Sequence, residues 1–241
     1  MKKKGIEILY EDNDVLVINK PAGMAVHQDA EGRLKNTVAD WVTSNYSNTE
    51  KVGEPLGNDE NILRPGIVHR LDKDTSGALL LAKNQTAYKY LKRQFQDKEI
   101  KKVYLALIYG GLKNNSGIID RPIGRNKFDF RAKMTGGSAQ GETRNAVTYY
   151  KVINKFKGYS LLEVRPMTGR THQIRVHMKS MSHPIVCDPI YAPGKECIFG
   201  LKRQALHAQS MEFKVPEGQT IKVEAPLPSD LKKALANLEQ L

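Results

Sequence analysis

Hydrophobic and polar positions along the chain change period several times, and each change marks an element. Ile6 to Tyr10 and Val15 to Asn19 read as β-runs. Glu11-Asp12-Asn13-Asp14 separates them, a turn-rich tetrad that predicts a hairpin. Pro21 and Gly23 break the chain before a short expected strand, Met24 to His27. A helical stripe follows at Val38, Trp41 and Val42, with Asn36 as the expected cap of a helix over Thr37 to Tyr46. Residues 44–66 are polar and rich in Asn, Gly, Glu and Pro, the pattern of a surface loop.

The run Leu79-Leu80-Leu81 then predicts a buried strand. A helix capped by Asn84 follows to about Asp97, with Ala87, Leu91 and Gln94-Phe95 on its inner side. Lys101 to Tyr109 alternates as a strand, with Tyr104, Ala106 and Ile108 on one face and Val103, Leu105 and Leu107 on the other. Residues 114–141 are long, basic and glycine-rich, with few apolar positions, and read as a functional loop. Arg144 to Val152 and Tyr159 to Val164 predict a second hairpin across Asn154 to Gly158. Thr168 to Thr171 is a turn into a helix, His172 to Met181, which Pro184 closes. Strands near Met211 to Val215 and Ile221 to Glu224 precede a last helix, Ser229 to Leu238, with Ser229 as N-cap. Hairpins are frequent and no parallel strand–helix repeat is visible. The expected class is α+β, with a mainly antiparallel mixed sheet flanked by helices.

Composition adds a partner class. With 40% hydrophobic and 27% charged residues among 241, the chain has ordinary globular usage, and one domain is the economical expectation. The net charge of +12 favours a polyanionic partner. The cations cluster. Residues 121–133 hold five Arg/Lys against one Asp, and residues 164–179 hold four with no acid. Two cysteines, Cys187 and Cys197, do not make a disulfide framework, which points to a reducing compartment. No apolar run is long enough to span a bilayer, and the start lacks a signal-peptide pattern, so a cytoplasmic protein is expected.

Several chemistries lack their residues. There is no phosphate loop of the GxxxxGK[ST] kind, no GxGxxG, no GxSxG elbow and no CxxC pair. His172 and His177 are five apart, which suits no common zinc motif, and no metal site is expected. Carboxylates, tyrosines and arginines remain. In GIVHRLDKDTSGALLLAK, Asp72 lies between Arg70 and Lys73, which favour its ionised form. An ionised acid suits nucleophilic or electrostatic work. Local sequence alone leaves Asp72 open between that use and organising the turn, and favours the turn for Asp74. Tyr104, taken alone, reads as a half-buried core tyrosine. Arg175 shares a helix face with His172 and is either solvated or forked onto a buried carboxylate.

Together these segments resemble the RluA family of RNA pseudouridine synthases. The stretches that carry the likeness are LYEDNDVLVINKPAGMAVH, RPGIVHRLDKDTSGALLLAK, KKVYLALIYG and RPMTGRTHQIRVHMKSMSHPIVCD. RPIGR with the following KM, ALHAQSMEF and APLP fit as well. Cys187 departs from the glycine expected before the Asp of the HPIxxD segment. The resemblance implies isomerisation of uridine in RNA to its C-glycoside, with no metal or organic cofactor. Asp72 would be the nucleophile or electrostatic partner at the uridine. Tyr104 would stack on the base and serve in proton removal from C5. Arg175 would pair with Asp72 and hold it ionised. Arg70 would occupy the gap left by an extruded base.

His69, Arg125, Lys133, Arg170 and His172 are the further expected RNA-binding residues. The expected partner is rRNA or tRNA, with no membrane, and the expected state is a monomer. Residues 1–241 are read as one catalytic domain without a separate N-terminal RNA-binding domain, which leaves target choice to the 114–141 segment. The rival reading is a non-catalytic RNA-binding or ribosome-assembly protein with the same basic fold. A metal-dependent RNA hydrolase would need carboxylate or histidine clusters that the chain lacks.

Overall fold

The computed structural model describes residues 2–3, 5–28, 33–56, 59–127, 129, 132–135 and 139–240, with backbone alone at 2–3, 55–56, 59–63 and 139–140. The chain divides into two compact units. One comprises Met1–Lys101 and Ala208–Pro226, the other Lys102–His207 and Leu227–Leu241.

The first unit is built on strands β1 (Lys2–Lys3), β2 (Ile6–Glu11), β3 (Val15–Lys20), β6 (Ser76–Ala82), β14 (Leu206–Lys214, from Ala208 onward in this unit) and β15 (Thr220–Glu224). They lie side by side in that order, and the pairs β2/β3, β3/β6 and β14/β15 are antiparallel. Every residue of β6 is buried, as a central strand with both faces covered requires. One cover is α2 (Gln85–Gln96), whose first turn is capped by the Asn84 side chain accepting from the Ala87 N–H. Ala87, Tyr88 and Leu91 from α2, Leu80 from β6, and Met211 and Phe213 from β14 share one core.

Helix α1 (Val38–Asn45) buries the expected Val38, Trp41 and Val42. Its cap is Thr37 and not Asn36. The Thr37 hydroxyl accepts from the Asp40 N–H at 3.3 Å while the Asp40 carboxylate accepts from the Thr37 N–H at 2.8 Å, a reciprocal capping box. Two further expectations are corrected in this unit. Met24 to His27 is not a strand, because the Ala25 and Val26 carbonyls accept the first helical N–H groups, from Val38 at 2.9 Å and Ala39 at 3.0 Å. The 44–66 loop contains a single 3-10 turn at Ser47–Thr49 and a small antiparallel pair, β4 (Pro55–Leu56) with β5 (Asp59–Leu63).

The second unit holds β7 (Lys101–Tyr109, from Lys102 in this unit), β8 (Ser116–Asp120), β12 (Val147–Phe156) and β13 (Tyr159–Pro166) in the order β7-β13-β12-β8, each neighbouring pair antiparallel. Leu107, Ile108, Leu162, Val164, Met178 and Ile185 lie in its main core, which α3 (Gln173–Ser180) and α4 (Ser229–Leu238) help close. Pro228, not Ser229, occupies the N-cap position of α4, with no side-chain hydrogen bond.

The segment expected as a loop over 114–141 is corrected most. It contributes β8 and most of a separate three-stranded antiparallel sheet of β9 (Ile123–Asn126), β10 (Lys133–Thr135) and β11 (Ala139–Arg144), in the order β10-β9-β11. Cys187 and Cys197 are joined as a disulfide with Cα atoms 5.0 Å apart, so the cysteines read as no framework are paired after all. The observed class, α+β with a mainly antiparallel arrangement, is the expected one.

Candidate active site

Asp72 follows Leu71, which is buried at 4% exposure. The Asp72 carbonyl accepts from the Thr75 N–H at 3.1 Å, closing a turn into β6. Next to it, the Lys73 carbonyl receives two donors, the Gly23 N–H at 3.0 Å and the Lys20 ammonium at 2.9 Å. Lys20 is fully buried, and it also donates to the Pro21 and Met24 carbonyls, both at 2.8 Å. A buried ammonium with three acceptors is satisfied, so it acts as a rigid three-way clamp on the Asp72 loop. Gly77 completes the hold: at φ 116° it lies so close to β14 that a Cβ would fall on the Ala208 carbonyl oxygen. The Asp72 side chain itself is half-buried.

Arg70 is exposed and sits within the field of Asp72. Crowding around its guanidinium pulls its pKa below the ordinary arginine value, which Asp72 opposes and Arg64 reinforces. His69, expected at the RNA, is oriented by two neighbours. Its Nε2 accepts from the Leu80 N–H at 3.0 Å and its ring stacks on Phe95 at 4.7 Å. His27, which sequence reasoning did not single out, shares the cationic surroundings. Burial first, and then Arg70 and Arg64, push its pKa down, against a raising contact with the Gln28 carbonyl.

Tyr104 lies mid-strand in β7, opposite Val164 of β13, and packs half-buried against the second unit's core. Two residues earlier on the same face, burial brings Lys102 down to about 8.

Arg175 is held on α3 by a buried fork. Its Nε and Nη2 donate to the two oxygens of Asp188 at 2.7 and 2.8 Å, with side chains 4% and 0% exposed. Asp188 Oδ1 also accepts from the Ile190 and Tyr191 N–H groups, each at 3.0 Å. The Tyr191 ring lies beneath the guanidinium, 5.1 Å from its centroid. Asp188 and Tyr191 were not singled out as site residues. The HPIxxD stretch holds Asp188, but nothing local says which cation it meets. Asp72 belongs to the first unit and Tyr104 and Arg175 to the second.

The turn before α3 is ordered by Gln173. Its Oε1 accepts from the Thr168 hydroxyl at 2.7 Å and the Arg170 N–H at 3.0 Å, and its Nε2 donates to the Val147 carbonyl at 2.9 Å. Arg170 is exposed, with Nε on the Asn145 carbonyl at 3.1 Å. His172 takes the left-handed conformation, φ 57°, and its Nδ1 is 3.0 Å from the Tyr191 hydroxyl. Arg125 and Lys133 are direct partners across β9 and β10, so they project to one face of the small sheet. Like charges placed opposite repel, and an anion over that face relieves the repulsion. No cluster of three potential metal ligands occurs among the described residues, and none of their helices is long and apolar enough to cross a membrane.

Solved structures share this fold. Human RNA Pseudouridylate Synthase Domain Containing 1 superposes with TM-score 0.74 at 26% identity, covering 95% of this chain and 87% of that one. Human RNA Pseudouridylate Synthase Domain Containing 4 has TM-score 0.74 at 23% identity, covering 97% and 93%. The class is thus a pseudouridylate synthase domain.

Among curated relatives, the RNA pseudouridine synthase YlyB of Bacillus subtilis is 42% identical over 236 residues, 98% of this chain and 73% of that protein. Ribosomal large subunit pseudouridine synthase D of Xanthomonas campestris is 38% identical over 253 residues, covering 98% and 70%. The RNA pseudouridylate synthase profile matches residues 14–180. The chain belongs to that family, in its RluA branch, and is an isomerase acting on RNA.

Proposed function

We propose that the enzyme converts particular uridines of structured RNA, ribosomal or transfer, to pseudouridine by turning the nucleotide outward and reacting it at Asp72 without a cofactor. One observation carries the reading: a half-buried carboxylate on a loop clamped by a buried lysine, with an exposed arginine in its field. A surface acid that merely closes a turn needs no such clamp. Relatives named for the large ribosomal subunit favour rRNA over tRNA and, because ribosomes work there, a cytoplasmic location.

Each residue has a task in this reading. Uracil stacked in a helix hides its glycosidic bond, and swinging it out costs a few kcal/mol. Arg70 offsets part of that by filling the vacated space, and Arg125, Lys133 and Arg170 by meeting phosphates. Tyr104 is the platform on which the freed uracil stacks, and His172 is a further RNA contact at the start of α3. Asp72 reacts as the carboxylate, by adding to the uracil ring, by adding to the sugar carbon, or by assisting loss of a sugar proton. In each route the N–C glycosidic bond breaks, the base rotates, C5 bonds to the sugar carbon, and the proton lost from C5 to a base is matched by one taken up at N1. Atoms balance without a co-reactant. Arg175 serves as the cation of the site, held in one orientation by its fork on Asp188. The two units act in this scheme as a single catalytic domain, working as a monomer.

The test is to map pseudouridines in RNA from cells lacking the protein and then complement with variants. Asp72→Asn should bind RNA and make no product, and Arg175→Ala should lose most activity. Substantial turnover by Asp72→Asn would refute the assignment.

A further inference from the structure

Tyr191 joins two parts of the second unit that have separate tasks in the proposed function. The face of its ring meets the Arg175 guanidinium at 5.1 Å. Its hydroxyl, at the other end, accepts from the Lys133 N–H of β10 at 2.8 Å and lies 3.0 Å from His172 Nδ1. The phenol oxygen takes the Lys133 N–H, and the same hydroxyl shares a hydrogen bond with His172 Nδ1. The His172 and Tyr191 rings meet edge to face at 5.7 Å.

The turn bearing Tyr191 cannot drift independently of Arg175, because Asp188 Oδ1 binds both the Tyr191 N–H and the guanidinium. Beneath β9 and β10, Tyr191 packs with Ile123, Ala132, Ala146 and Val176. One rigid side chain therefore touches the charged group of α3 with its face and the cationic sheet with its tip. Lys133, at that tip, stands opposite Arg125.

We propose that Tyr191 is a positioning residue that ties the seating of the Arg125–Lys133 sheet on RNA to the setting of the Arg175 guanidinium. This rests on the reading of Arg175 and the small sheet given above. A tyrosine with only a packing role would lower the melting temperature on substitution and leave KM and kcat of the folded protein alone. A positioning role splits them. Tyr191→Phe keeps the ring and drops the hydroxyl, so KM for RNA should rise about fivefold, with a smaller change in kcat. Tyr191→Leu removes the ring as well, and kcat should fall by about tenfold more.

The substrate is an in vitro transcript carrying the site mapped in RNA from the deletion strain, with circular dichroism confirming that each variant is folded. A double-mutant cycle adds a readout that packing does not move: Arg125→Ala should raise KM less in the Tyr191→Phe background than in the wild type. Should Tyr191→Leu not fold, Tyr191→Phe and the cycle carry the test. Wild-type KM and kcat in Tyr191→Phe, or strict additivity with Arg125→Ala, overturns the inference. A wild-type enzyme that isomerises no uridine overturns the reading of the site itself.

Discussion

His177 has both ring nitrogens engaged, Nδ1 with the Thr148 hydroxyl at 2.8 Å and Nε2 with the Arg121 carbonyl at 3.0 Å. A carbonyl only accepts, so Nε2 carries the proton and Nδ1 receives the hydroxyl's: a neutral ring. Burial, the largest influence, holds its pKa below 6.5, helped by Arg121 and opposed by Asp120 and the Arg121 carbonyl. The unfolded chain then takes up a proton that the folded one refuses, so stability is lost as pH falls below about 6.5 and is unaffected by this group above it. Melting temperatures from pH 7.5 to 5 should drop less steeply in His177→Gln than in wild type; equal slopes would exclude His177 as the sensor. At this scale the sequence was uneven in what it disclosed. Asp72 stood out because its cationic neighbours are adjacent in the chain. Asp188 did not, because the arginine it binds is 13 residues away and reached only through the fold. The glycine expected at 187 has its physical reason in a left-handed backbone, φ 58°, which the cysteine there also adopts.

Among elements, those with a regular apolar period were legible: the β2/β3 hairpin, β6, α2, β7 and the β12/β13 hairpin. The β9–β11 sheet was not, since its strands carry Arg, Asn, Lys and Glu in place of an alternating apolar set, and its support is a small cluster to which the strands themselves give only Ile123. Helix α1 shows how a cap can be misplaced by one residue. Asn36 and Thr37 are both good caps in isolation, but only Thr37 has an acid three positions on to return the bond. Thr37→Ala should therefore cost about 1 kcal/mol, seen as a lower urea midpoint at unchanged slope, while Asn36→Gly, at φ 56°, should cost little or nothing. The reverse order would contradict the cap assignment.

For the whole molecule, the +12 charge indicated a polyanionic partner and said nothing of fold. What the sequence concealed is the route of the chain through its two units. The first is not finished at Lys101; it takes back Ala208–Pro226 for β14 and β15. Met211 and Phe213 of that return belong to its core alongside Leu80 and Leu91. Removing residues 208–226 should leave β6 uncovered on one edge and abolish cooperative unfolding of residues 1–101, read by protease resistance and far-UV circular dichroism. A protease-resistant fragment ending near residue 101 would contradict that.

This route sets a timetable for synthesis. As the chain leaves the ribosome, residues 1–101 must wait for 106 more to be translated before the strand beside β6 arrives, roughly 5–20 s at usual elongation rates. During that interval the Leu79-Leu80-Leu81 run is a sticky edge without its neighbour, so a nascent-chain chaperone should crosslink there until residue 226 has emerged.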